Sequence, residues 1–209
     1  DMGFVSDIRS WCYNTNNTLV KTEKLNNQYI AYIRKGMSNK TVSKIQPAIA
    51  AESSKGKTMI VFSNDLDKAF ASFIIANGAA AMGRPVTMFF TFWGLNVIKK
   101  VSKPKVKKDI FGKMFGMMLP SHSGKLKLSK LNMGGAGSWM MRLIMKRKRI
   151  DSLESLIQQA IDNGVEMIAC TMSMDVMGVQ KEELMDNVTL GGVASYLERA
   201  EEANVNLFI

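Results

Sequence analysis

The stretch "EMIACTMSMDVMG", Glu166 to Gly178, ends a short apolar run on one cysteine and follows it at once with a polar, Met-rich turn. A thiol can do chemistry there once ionised, because the thiolate is the nucleophile. With "EMIAC" on a parallel strand, Cys170 sits at the carboxyl end, where open α/β sheets collect ligands. Residues Thr171 to Val176 can begin a helical turn whose N–H groups favour a thiolate, and nearby lysines would do the same. The competing reading is packing. Cysteine is among the most buried residue types, and position alone favours that outcome.

Other residue groups carry weaker chemistry. Cys12 and Cys170 are the two cysteines, and neither lies in a CxxC or CxxH pattern. A zinc site or disulfide framework is therefore not expected, while one Cys12–Cys170 pair stays open. His122, in "LPSHSGK", is the single histidine. It could serve Cys170 as a base, but a lone loop histidine is more often just exposed. Asp65 and Asp67, in "NDLD", resemble the aspartate pair of haloacid-dehalogenase phosphatases. Lys68 stands where those need Thr or Val, so the pair reads as first-turn acids favoured by a helix dipole. "NMGGAGSW" lacks the spacing of a nucleotide fingerprint and reads as a hinge between two short helices.

The elements that must position these residues alternate. From Lys57 the pattern runs strand "KTMIVFSN", helix "DLDKAFASFIIANGAAAMG" and strand "RPVTMFFTFWG". After a long interruption come helix "DSLESLIQQAIDNG", strand "VEMIAC" and short helix "QKEELMDN". Strand "VTLGG", helix "VASYLERAEEAN" and strand "VNLFI" close the series. Apolar strands alternating with helices predict a mainly parallel sheet of about five strands in a three-layer α/β/α fold. Ahead of it, residues 1–36 predict a small α+β piece. It holds a helix bearing Ile8, Trp11 and Cys12, then a hairpin of "TLVKTEKL" and "QYIAYIRK" turning at Asn26-Asn27. Residues 37–56 read as a linker with a short helix near Ala48 to Glu52.

The net charge of +10 is concentrated. Residues 94–150 carry 15 Lys/Arg against the single acid Asp109, while the rest of the chain is mildly acidic. Seven of the 17 methionines fall in residues 99–149. A basic insertion in an otherwise acidic domain suggests a docking surface for protein partners or an anionic membrane. Nucleic acid is disfavoured, because aromatics are not interleaved as stacking platforms. No leader-like or membrane-spanning stretch is apparent, so a cytoplasmic protein, with peripheral membrane contact open, is the expectation.

"KTMIVFSNDLDKAFASFIIANGAAAMGRPVTMFFTFWGLNVIKK", the Met-rich insertion and "IACTMSMDVMG" together resemble the DsrE/DsrF sulfur-relay family. Within it they are most similar to the long-insertion, peroxiredoxin-like branch. The resemblance covers residues 57–209 and implies homo-oligomers. It further implies that Cys170 accepts sulfane sulfur as a persulfide and passes it on, without metal or organic cofactor. "DMGFVSDIRSWCYNTNNTLV" with "YIAYIRK" resembles the second half of a TusA-like carrier, lacking that family's Cys-Pro motif. TusA-like or rhodanese-like proteins are the implied sulfur donors and acceptors. The alternative from another class is an adaptor that docks through the insertion, with Cys170 as packing.

Overall fold

The computed structural model describes residues 8, 12, 15, 17–25, 28–36, 55–102, 104, 106, 108 and 110–209. The chain divides into two compact units, Asp1–Ser53 and Ser54–Ile209. In the first, strands β1 (Thr18–Leu25) and β2 (Gln28–Arg34) form an antiparallel hairpin with Leu25 opposite Gln28. Lys21 stands over the Tyr32 ring at 4.5 Å, so a charged chain also packs an aromatic face. Most of the expected opening helix, and the expected short helix near Ala48 to Glu52, lie outside the described residues.

The second unit holds the expected α/β fold. Strands β3 (Gly56–Val61), β4 (Val86–Phe90), β5 (Glu166–Cys170), β6 (Val188–Gly191) and β7 (Ala203–Phe208) pair in parallel, in the order β6-β5-β4-β3-β7. All five residues of central β4 are buried, as expected for a strand covered on both faces. Helices α1 (Leu66–Ala81), α2 (Ile110–Met118), α3 (Ala136–Arg147), α4 (Leu153–Asp162), α5 (Thr171–Met177) and α6 (Val193–Glu201) are its α-helices among the described residues. The expected helix in "QKEELMDN" forms only a 3-10 turn, Lys181–Glu183, closed by a capping box between Gln180 and Glu183.

Strand alternation divides the core into two unequal parts. Met59, Val61, Met88, Phe90, Met167 and Ala169 pack on Phe73 of α1 and Leu156 of α4 in the larger cluster. Phe89, Ile168 and Cys170 face the other way and meet Tyr196 of α6. Tyr196 is the single buried residue of that nine-residue helix. The second layer is therefore thin at the place where Cys170 lies.

Several contacts fasten the basic insertion, among them one at Asp67 and one at Gly178. Asp67, in the first turn of α1, accepts from the Ser129 backbone N–H at 2.9 Å and the Ser129 hydroxyl at 2.6 Å. Burial alone would raise this carboxyl, but the Ser129 donors outweigh it and hold the group below the ordinary range. Its stabilisation is thus present above the ordinary carboxyl range and is lost as pH falls through the lowered value. Asp67→Ala should cost about 1 kcal/mol at neutral pH, reduced from a buried pair because the site is wet. Urea unfolding checks this, and the gap to wild type should close in acid.

The second contact is between backbones. Gly178 ends α5 at φ +61, and a Cβ there would sit 2.4 Å from the Gly112 Cα of α2. Only glycine satisfies both the left-handed turn and this crossing. Gly178→Ala should lower unfolding stability by about 1–3 kcal/mol, the usual range for strain plus overpacking. A loss below about 0.5 kcal/mol in urea titration would mean that α2 shifts freely away from α5.

Candidate functional site

Cys170 is the last residue of β5 and the N-cap of α5, with extended backbone at φ −69, ψ 112. It pairs with Gly191 of β6. A Cβ on Gly191 would lie 2.8 Å from Ile168 Cγ2, so this edge of the sheet admits little beside the thiol. Ser173 fixes the first turn of α5, its Oγ lying 2.7 Å from Thr91 Oγ1 at the end of β4.

The expected reachable, electropositive rim is not what the fold provides. Cys170 retains 1% of its accessible surface and packs among Phe89, Ile168 and Tyr196. The reason is register: β5 alternation turns Cys170 to the α6 face with Ile168, and the Tyr196 ring, 5.3 Å from the Phe89 ring, closes over that face. Both cysteines are free and buried, Cys12 in the first unit and Cys170 in the second.

The cover is lightly held. Tyr196 Oη lies 3.4 Å from Thr58 Oγ1, at the limit of hydrogen bonding. Arg199 of α6 donates from Nε to Glu166 Oε2 at 3.0 Å, and Thr87 donates to the same oxygen at 2.8 Å. Burial would raise the Glu166 carboxyl, but Arg199 and Thr87 outweigh it and lower it below the ordinary range.

The other sequence candidates take structural places. His122 accepts the Gly124 N–H on Nδ1 at 3.1 Å, capping a 3-10 turn in the insertion, and no hydrogen bond among the described residues joins it to Cys170. The dyad is therefore not formed in this arrangement. Asp65 accepts from the Ser63 hydroxyl at 2.8 Å and pairs with Lys68 at 2.8 Å, while Asp67 holds Ser129. Gly134 and Gly135 adopt φ +67 and +108, and a Cβ on Gly137 would strike Leu131 O at 2.0 Å. These glycines make the tight entry to α3.

Sequence reasoning missed a buried lysine. Lys99, directly after the buried 3-10 helix Phe92–Ile98, is 5% exposed and donates to Asn96 Oδ1 at 2.7 Å. Burial is the main cause lowering its ammonium to about 8. Lys108 adds to the shift and Glu183 opposes it. The signal was the apolar run "FWGLNVI", which carries the next residue into the interior. Lys99 lines a cavity of about 600 Å³ beneath α2, and a neighbouring cavity of about 730 Å³ opens by Asn64 and Asp65. Cys170 lines neither.

Comparison with known proteins gives matches covering about three quarters of the chain. The profile of the DsrE/DsrF/DrsH-like family matches residues 54–208. The uncharacterized protein YrkE of Bacillus subtilis (strain 168) is 48% identical over 158 residues, covering 76% of this chain and 99% of its own length. The sulfur carrier protein DsrE2 of Allochromatium vinosum is 36% identical over 159 residues, covering 74% of this chain and 98% of its own. The crystal structure of the ychN protein from E. coli aligns over 74% of this chain and 99% of its own, at 8% identity and TM-score 0.45.

Proposed function

The chain belongs to the DsrE/DsrF/DrsH-like family, and from that premise we propose that it acts in sulfur relay, holding sulfane sulfur as a persulfide on Cys170. The observation that carries this reading is a count. Of the two cysteines in the chain, Cys170 alone lies within the matched residues 54–208. A homologue covering 74% of this chain is a sulfur carrier protein, and sulfane sulfur is carried on a cysteine thiolate.

The exchange uses thiols alone. The Cys170 thiolate attacks the terminal sulfur of a donor persulfide. The donor S–S bond breaks, and the donor leaves as a thiolate with the bonding electron pair. Cys170 is left as a persulfide, with no net oxidation. Passing the sulfur on is the same step with an acceptor thiolate as attacker. In this reading residues 1–36 are a partial TusA-like piece and 37–56 a linker. The donors and acceptors are TusA-like or rhodanese-like proteins, and the chain is a cytoplasmic homo-oligomer.

Access to the sealed sulfur requires motion, and α6 is the element to move. It contributes one buried ring, whose hydroxyl reaches Thr58, and it is otherwise tied by half-buried Ala200, a long Asn206 bond to Ala200 O at 3.4 Å and the half-buried Glu166–Arg199 pair. Elements with few buried contacts open at the lowest free energy. Loading the full chain with glutathione persulfide and mapping the added sulfur by peptide mass spectrometry tests the proposal. The sulfur should appear on the peptide holding Cys170. A chain that gains none, or gains it only on Cys12, refutes it.

A second reading is favoured by the same burial. The insertion exposes Met117 at 85%, Met118 at 76% and Trp139 at 68%, and the last turn of α3 carries Lys146 and Arg147. An adaptor could dock protein partners or an anionic membrane surface there, with Cys170 as packing. Among the described residues no helix is long and apolar enough to cross a membrane. Binding to anionic vesicles that vanishes on deleting 99–149, in a chain whose Cys170 never loads, would select this reading.

A further inference from the structure

The geometry points to an anion-binding site in the cavity beneath α2, taking a phosphorus or sulfur oxyanion against Lys99, Lys108 and Ser121. Nothing in this site depends on sulfur transfer at Cys170. The cavity of about 600 Å³ is of the size that holds small-molecule ligands. Four lysines line it, Lys99, Lys100, Lys108 and Lys113, against the single carboxylate Glu183. Glu183 is already engaged by Lys108 at 2.7 Å and by the Gln180 N–H at 2.9 Å. Lys100 is paired outward with Asp186 at 2.6 Å. Among the described residues Lys99 and Lys113 form no salt bridge, and Glu183 acts on Lys99 only from beyond contact, so with four lysines to one carboxylate the cavity keeps an excess of positive charge.

Two buried groups give the site a built interior. Lys99 is more than nine-tenths buried, and its one hydrogen bond among the described residues goes to the neutral Asn96 Oδ1. An ammonium has three donors, and burying it without an anion is costly. Ser121 lines both this cavity and its neighbour, and its buried Oγ has no hydrogen-bond partner among the described residues. Orphaned buried polar atoms in a native fold ask for a ligand or ordered solvent. An oxyanion answers both, accepting from the ammonium and the hydroxyl. Pro104, Val106 and Met117 leave an apolar wall for a small organic body attached to it.

The test uses the full chain with inorganic phosphate, thiosulfate and benzenesulfonate as separate probes, each against sodium chloride of equal ionic strength. Lysines are labelled near pH 8 with an amine-reactive ester and quantified by peptide mass spectrometry. Saturable protection of Lys99 and Lys108 by at least one probe is expected, with Lys148 on the exposed end of α3 unprotected. Titration calorimetry of Lys99→Met should show affinity weakened roughly tenfold or more, as for one charge-assisted hydrogen bond lost. Lys148→Met should bind as wild type. Protection that is equal at Lys148, or matched by chloride, overturns the site in favour of diffuse attraction to a basic surface. So does the absence of protection by all three probes. The labelling experiment on the unaltered chain decides the question even where Lys99→Met fails to fold.

Discussion

Cys170→Ser is expected to abolish sulfane loading, while Cys12→Ser loads like the unaltered chain. The thiol cannot be replaced functionally by a hydroxyl, which does not form a stable S–S bond partner. Serine at this apolar position also buries a hydroxyl among Phe89, Ile168 and Tyr196, at a cost of about 1–3 kcal/mol. Cys170→Ala, which buries no polar group, separates loss of sulfur chemistry from loss of fold. Both variants should fail to gain the mass of one sulfur atom after treatment with glutathione persulfide. In the unaltered chain that gain should disappear on adding cyanide, which removes the terminal sulfur as thiocyanate and returns the thiol. Unchanged loading of Cys170→Ala would end the persulfide proposal.

Tyr196→Ala should accelerate modification of Cys170 on the order of a hundredfold. Removing a large core aromatic costs about 3–5 kcal/mol, and here the loss falls on the only buried residue of α6. Much of that cost lowers the free energy for lifting α6, and each 1.4 kcal/mol is a factor of ten in the open population. The measurement is the rate of reaction with a pyridyl disulfide, which reacts across a wide pH range. Phe73→Ala, on the opposite face of the sheet, is the control for general destabilisation. It should accelerate Cys170 far less if α6 opens on its own. Equal acceleration by both variants would mean that the thiol is reached only through global unfolding. The Glu166–Arg199 tie adds a pH dependence. Its contribution is present above the ordinary carboxyl range and fades as pH falls through the lowered Glu166 value, so α6 should open more readily in acid.

The three-layer sheet was legible because its signals are local. "RPVTMFFTFWG" reads as a buried strand; its Val86–Phe90 part forms β4 and is buried at every position, whereas the chain from Phe92 to Ile98 turns into a 3-10 helix. "DSLESLIQQAIDNG" carries its own Ser152 cap, accepting from the Ser155 N–H, and its own glycine stop. The hairpin in the first unit was legible for the same reason, from the alternation along its two strands. The site was legible only in part. The strand-end position of Cys170 could be read from "EMIAC", but not which face it takes or what lies on it.

What the sequence determined alone is the succession of the five sheet strands with the helices α1, α4 and α6 between them, their parallel pairing and the presence of one cysteine in the sheet domain. Those follow from the period of apolar residues and from turn chemistry, both carried by near neighbours in the chain. Only the tertiary structure decided that Tyr196 seals the thiol, that Lys99 is buried above a cavity, and that Gly178 meets Gly112 backbone to backbone. Each of these is an encounter between side chains or backbones distant in sequence. Burial belongs to the assembled layers, and no periodicity within a single strand or helix encodes it.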